Sequence, residues 1–98
     1  MIKKTWKNIE SKIAKFFGTT RTPRSGGNSK QTRSDTLHPE LFIEVKYRET
    51  MSIGQLFRRT EELAKKENKI PVVVVQEKYD KPLIVCKLED IKTIGDYL

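Results

Sequence analysis

The chain carries one histidine, His38, and one cysteine, Cys86, in 98 residues. That scarcity excludes zinc sites built on several imidazoles or thiolates and most hydrolytic triads. Cys86 sits in the apolar run Leu83–Cys86 and reads as a buried thiol of a reducing compartment. No apolar run approaches the ~20 residues of a membrane-spanning helix, and the N-terminal stretch lacks a secretory-signal core. The expectation is a cytoplasmic (intracellular) protein with no membrane association. Neither a Walker A loop nor a Rossmann fingerprint occurs, so no nucleotide cofactor is expected. Apolar residues are scarce too, 36% against 34% charged. A single small domain of that composition has a thin core, which favours a homodimer that shares buried surface. Charge of one sign is abundant: 20 Lys and Arg against 13 Asp and Glu leave +7. This suits a polyanionic partner, and a merely soluble basic protein is the alternative.

Along the chain, residues 2–17 form an amphipathic helical pattern, with Ile2, Trp6, Ile9, Ile13, Phe16 and Phe17 at spacings of three and four. Gly18 is a natural stop. Glu10 falls about 40° from Trp6 at 100° per residue, on the edge of the apolar stripe. By itself it reads as a boundary acid paired with a lysine. Residues 19–34 change character: they hold almost no apolar side chains but contain Arg21, Arg24, Lys30, Arg33 and the pair Gly26-Gly27. A strand is conceivable at Thr19–Thr22; the rest, from about residue 21 to 34, reads as a mobile basic loop whose glycines let backbone N–H groups approach phosphates. Ser52, three residues before Gln55, starts a second helix over 53–68 with Ile53, Leu56, Phe57, Thr60, Leu63 and Ala64 on its buried face. Val72–Val75 suits a strand covered on both faces. Residues 83–86 form another strand, and Leu88, Ile91 and Ile94 a short terminal helix. A mixed central sheet flanked by helices follows.

The stretch from Asp35 to Lys46 organises these parts. Leu41–Tyr47 alternates as a half-buried strand does, with Leu41, Ile43, Val45 and Tyr47 on one face and Phe42, Glu44 and Lys46 on the other. Glu44 and Lys46 thus share a side, about 7 Å apart at ~3.3 Å per residue. At that distance an acid and an amine need not neutralise each other and can flank a third object. His38-Pro39 makes a turn that returns Asp35 to this point. Two carboxylates and an ammonium around one spot would hold a divalent cation through oxygen and stabilise charge on a phosphate.

Asp35-x8-Glu44-x-Lys46, preceded by Arg21-Thr22-Pro23-Arg24-Ser25-Gly26-Gly27 and followed by Tyr47-Arg48, a helix with Gln55 and then Pro71–Val75, resembles the PD-(D/E)XK nucleases. With Glu10 on the first helix, the order is similar to that of the archaeal-type Holliday junction resolvases, over roughly residues 6–91. Ser34 departs from the proline that often precedes the aspartate in that family, and the chain is shorter than typical members. The resemblance implies a restriction-endonuclease-like α/β fold with elements in the order α-β-β-β-α-β-β-α, and a homodimer acting on branched or four-way DNA. It implies Mg²⁺, with Mn²⁺ as a substitute, held by Asp35, Glu44 and the Val45 backbone carbonyl, with Glu10 as an accessory ligand. Catalytic roles then fall to Glu10, Ser25, Asp35, Glu44 and Lys46. DNA contacts fall to Arg21, Arg24, Gly26, Gly27, Lys30, Arg33, Arg48 and Gln55. Ser25 also reads as a plain turn residue, Gln55 as a capping residue, and Lys46 as either a base or an electrostatic stabiliser. A nicking or flap endonuclease of the same fold and a non-catalytic DNA-binding module are the alternatives.

Overall fold

The amphipathic start of the chain forms α1 (Ile2–Phe16) in the computed structural model, which describes residues 2–23, 32–47 and 52–98. Ile13, Ala14 and Phe17 are buried, while Lys7, Lys12 and Lys15 face water. Phe16 departs from the expected stripe. Phe17 lies four residues after Ile13 and takes the core position; Phe16, one step of 100° earlier, points into solvent and meets the Phe17 ring edge-on at 5.2 Å. Gly18 ends the helix at φ +71°, with Thr19 N–H donating to Ala14 O at 2.9 Å and Gly18 N–H to Lys15 O at 3.0 Å. This double bond through a left-handed residue is the Schellman arrangement.

β1 (Leu41–Tyr47) leads through α2 (Ile53–Lys66) to β2 (Ile70–Gln76), which runs parallel to β1 in a register from Leu41↔Ile70 to Tyr47↔Gln76. β3 (Leu83–Val85) pairs antiparallel with β2, giving a mixed sheet in the order β1-β2-β3. A single 3₁₀ turn (Leu88–Asp90) then runs into α3 (Ile91–Asp96). Ser52 caps α2 by accepting Gln55 N–H at 3.2 Å. The helix was expected to reach Asn68; residues 67 and 68 instead form its cap, with Asn68 at φ +55° and Lys69 N–H returning to Ala64 O at 3.0 Å.

Alternation along the strands builds two apolar layers. Leu41, Ile43, Val45, Val72 and Val74 cluster with Ile13 of α1, Phe17 just past its end and Ile94 of α3. Phe42 and Val73, also fully buried, point to the opposite face, where α2 packs over β1 and β2 and buries Leu56, Thr60 and Ala64. Ile53, expected on that face, is exposed in the first turn, and Phe57 and Leu63 are half-buried. Leu83 and Ile84 are exposed because β3 is an edge strand, and Cys86 is half-buried rather than buried. Of the three apolar residues expected to seat the terminal helix, only Ile94 is buried.

Among the described residues the order is α-β-α-β-β-α, two strands short of the expected series. Thr19–Thr22 and the residues around Asp35 form one antiparallel bridge, Arg21↔Thr36, flanked by Thr22 N–H to Asp35 O and Leu37 N–H to Thr20 O, both 2.9 Å. The ladder stops there because side chains take over the outer edge of β1. Ser34 Oγ accepts Ile43 N–H at 2.9 Å, donates to Ile43 O at 3.1 Å and accepts Thr36 N–H at 3.3 Å. Ser34→Ala strands the buried Ile43 N–H. It should lower unfolding stability by about 2 kcal/mol, against ~1 kcal/mol for Ser52→Ala at the exposed helix cap. Paired urea titrations measure both; equal losses would mean that water replaces the Ser34 hydroxyl.

Candidate active site

Asp35 lies on the same edge. Its N–H donates to Ile43 O at 2.9 Å, and its Oδ2 accepts the Val45 N–H at 2.7 Å, with the side chain buried. The carboxylate therefore rests on the peptide that joins Glu44 to Val45. In a strand the N–H and C=O of one residue point to the same edge, so the Val45 carbonyl shares that edge with Asp35. Glu44 and Lys46 project to the α2 side, each with 18% of its side chain exposed. Here the expectation of separated charges fails: Lys46 Nζ sits 3.1 Å from Glu44 Oε2. Lysine's flexible stem closes the gap that two residues of strand leave between their Cα atoms.

Glu10 is placed differently. Its carboxylate is buried on α1, accepting Trp6 Nε1–H at 2.6 Å and Arg21 Nε–H at 2.7 Å. The residue pairs with a base, as a boundary acid would, here an arginine 11 positions on. Among the described residues no three His, Cys, Asp or Glu side chains gather as a metal-holding group. Glu10, Asp35 and Glu44 therefore do not form one cluster of three. Asp35, Glu44 and the Val45 carbonyl each offer oxygen, the donor type that Mg²⁺ takes.

The basic loop is pinned at both ends. At its entry Arg21 is held by Glu10, and Thr22 is buried with its hydroxyl donating to Ser34 O at 2.9 Å. At its exit Glu67, just past α2, accepts the Thr32 hydroxyl and the Arg33 N–H at 2.9 Å, and pairs with Lys69 at 3.2 Å. Arg21 and Arg33 therefore sit on tethered stubs, where a mobile loop was expected from residue 21 to 34. Arg24, Ser25, Gly26, Gly27 and Lys30 lie outside the described residues, as does Arg48. Gln55 is exposed on α2 beside Arg58, Arg59 and Glu62, which line a shallow polar depression. The turn expected at His38-Pro39 forms around the buried His38 ring. Its Nδ1 accepts Glu40 N–H and Leu41 N–H, both at 3.0 Å, which leaves the proton on Nε2, facing Tyr97 O at 3.4 Å.

Sequence reasoning missed Ser34, Trp6, Thr32 and Glu67. Ser34 had a signal, a small hydroxyl residue immediately before the aspartate that must sit against a strand edge. Glu67 had none, because its partner Arg33 lies 34 residues away. No protein-family model matches the chain, and no curated protein or solved structure matches it either.

Glu67 supplies a pH test of the loop anchor. Burial pushes its carboxyl up, but the Arg33 N–H, the Thr32 hydroxyl and the Lys69 ammonium together hold it below the ordinary glutamate value. A depressed folded-state value means that the anchor contributes fully above the unfolded glutamate value, about 4.3, and is lost as pH falls through the folded one. Stability measured from roughly pH 6 to pH 3 should fall less steeply in Glu67→Gln than in the parent chain. Superimposable profiles would show that Glu67 does not hold the loop.

Proposed function

We propose that the chain is a Mg²⁺-dependent, structure-selective DNA endonuclease of the Holliday junction resolvase type, hydrolysing phosphodiester bonds in branched DNA. One observation supports this most: the Asp35 carboxylate lies hydrogen-bonded on the Glu44–Val45 peptide, beside the strand that carries Glu44 and Lys46, nine and eleven positions downstream. Asp35 and Glu44, with the Val45 carbonyl, would hold the cation. When bound, Mg²⁺ lowers the pKa of a coordinated water and neutralises charge on the phosphate. Lys46 either takes the proton of the attacking water or stabilises the negative charge that develops on phosphorus. The basic balance of +7 draws DNA to the surface.

The Glu44–Lys46 ion pair favours a second reading, a non-catalytic DNA-binding module in which the charges satisfy each other. Nicking or flap cleavage on the same chemistry is distinguished only by substrate. The deciding experiment incubates the purified chain with four-way, flapped, nicked and linear duplex DNA in Mg²⁺, Mn²⁺, Ca²⁺ or chelator. Branched DNA should be cut in Mg²⁺ and Mn²⁺, bound without turnover in Ca²⁺, and left intact in chelator. Asp35→Asn retains an oxygen for the Val45 N–H, so its melt should stay close to that of the parent. Removing a partner one shell out from a metal already costs 10–100-fold, so Asp35→Asn and Glu44→Gln should each lower cleavage by about 100-fold or more. Binding in Ca²⁺ should persist. Cleavage at the parent rate by Asp35→Asn would remove the proposed site, and binding without cleavage in every metal would leave the module.

A further inference from the structure

On the side of the sheet away from α2, a groove of about 780 Å³ runs between the C-terminal half of α1, β3 and α3. Ile13, Phe17 and Ile94 form its buried floor. Phe16 (69% exposed), Leu83 (65%) and Leu98 (61%) stand around it. The volume lies within the ~300–1,000 Å³ of sites that enclose small ligands. Among the described residues the lining carries no acid, hydroxyl, amide or imidazole side chain. Its two charged members, Lys12 and Lys81, are both exposed cations. Neither ammonium enters an ion pair with a described residue.

We propose that this groove binds a long-chain carboxylate, with the hydrocarbon tail over the apolar floor and the anionic head at Lys12 and Lys81. The lining selects the tail. A ligand with polar atoms along its body would bury them there without hydrogen-bond partners, and a methylene chain has none to bury. The charges select the head. Two cations and no acid border the groove, so an anion is complementary to it and a cation is not. Lysine lays its aliphatic stem on apolar surface and keeps its ammonium wet, so the carboxylate is met at the rim and stays partly hydrated. The same features set other occupants aside. A peptide brings an N–H and a C=O at every residue, and the three-residue edge of β3 is too short to pair them all. A bilayer would take the projecting Phe16, Leu83 and Leu98 but leave the concavity between them unfilled. The assignment is independent of the nuclease reading.

The test is calorimetric titration of the full chain with decanoate, dodecanoate and tetradecanoate, each below its micelle concentration. Saturable binding is expected, tightening about 10-fold for each two CH₂ groups added. Dodecyltrimethylammonium, with the same tail and the opposite charge, should bind about 10-fold more weakly than dodecanoate. Lys12→Gln/Lys81→Gln should weaken dodecanoate about 5-fold. Lys65→Gln/Lys66→Gln removes the same charge from the end of α2 and should leave the affinity unchanged. No saturable binding, or affinity indifferent to chain length, overturns the proposal and leaves the groove to a protein surface. Equal affinity for the two head groups, or equal losses in the two lysine variants, overturns the assignment of the carboxylate. Attachment to anionic phospholipid vesicles without binding of free dodecanoate gives the face to a membrane and overturns it as well. Ile91→Glu puts a like charge in the groove and should weaken dodecanoate by about 10-fold or more. Where that variant does not fold, methyl resonances of the parent decide. Dodecanoate should shift those of Ile84, Ile91 and Ile94, and shifts confined to other residues remove the site.

Discussion

β1 is buried within the molecule, yet among the described residues it has a strand on only one of its edges. Its inner edge pairs in full register with β2; its outer edge would leave the backbone groups of Ile43 and Val45 buried without partners. Such groups each cost about 1–3 kcal/mol if unsatisfied. Ser34 and Asp35 answer this with side chains, the hydroxyl serving both groups of Ile43 and the carboxylate serving the Val45 N–H. One constraint thereby does two jobs. It closes the sheet, and it holds an acid against the Glu44-Val45-Lys46 triplet. The candidate active site is the repair of an open strand edge.

The surroundings of that edge follow from it. Thr22 bonds to Ser34, Thr32 and Arg33 reach Glu67, and Arg21 reaches Glu10, so each end of the basic loop is stapled to the body beside the site. Glu10 ties Trp6 and Arg21 together. Its two oxygens take an indole and a guanidinium, which fixes where the loop leaves α1. A buried acid of this kind is retained only when paired and hydrogen-bonded, as Glu10 is.

The two faces of the sheet divide the molecule's chemistry. Glu44, Lys46 and the exposed arginines of α2 lie to one side; the groove between α1, β3 and α3 lies to the other.

Local patterns carried what they could. The stripe of α1 apart from Phe16, the Ser52 cap, the stop at Gly18, the alternation of Leu41–Tyr47 and the His38-Pro39 turn all depend on residues within a few positions of one another, and all are found. Phe16 and Phe17 show the limit: periodicity placed both on the stripe, and only packing against the sheet decided which one is buried. Leu83, Ile84, Leu88 and Ile91 show it again. Their apolarity was legible, but their exposure depends on what packs against β3, the 3₁₀ turn and α3, which no local window contains. At the site, the spacing of Asp35, Glu44 and Lys46 was readable because one turn and one strand set it. The Glu44–Lys46 closure, the Glu10–Arg21 pair and the Glu67 anchor were not, since each requires knowing how separate segments approach. Patterns within a few residues were enough to locate three helices, three strands and the turn that brings Asp35 back to the β1 edge. Tertiary structure alone decided which charges pair and which apolar surface stays open, because those are set by distances between elements rather than along the chain.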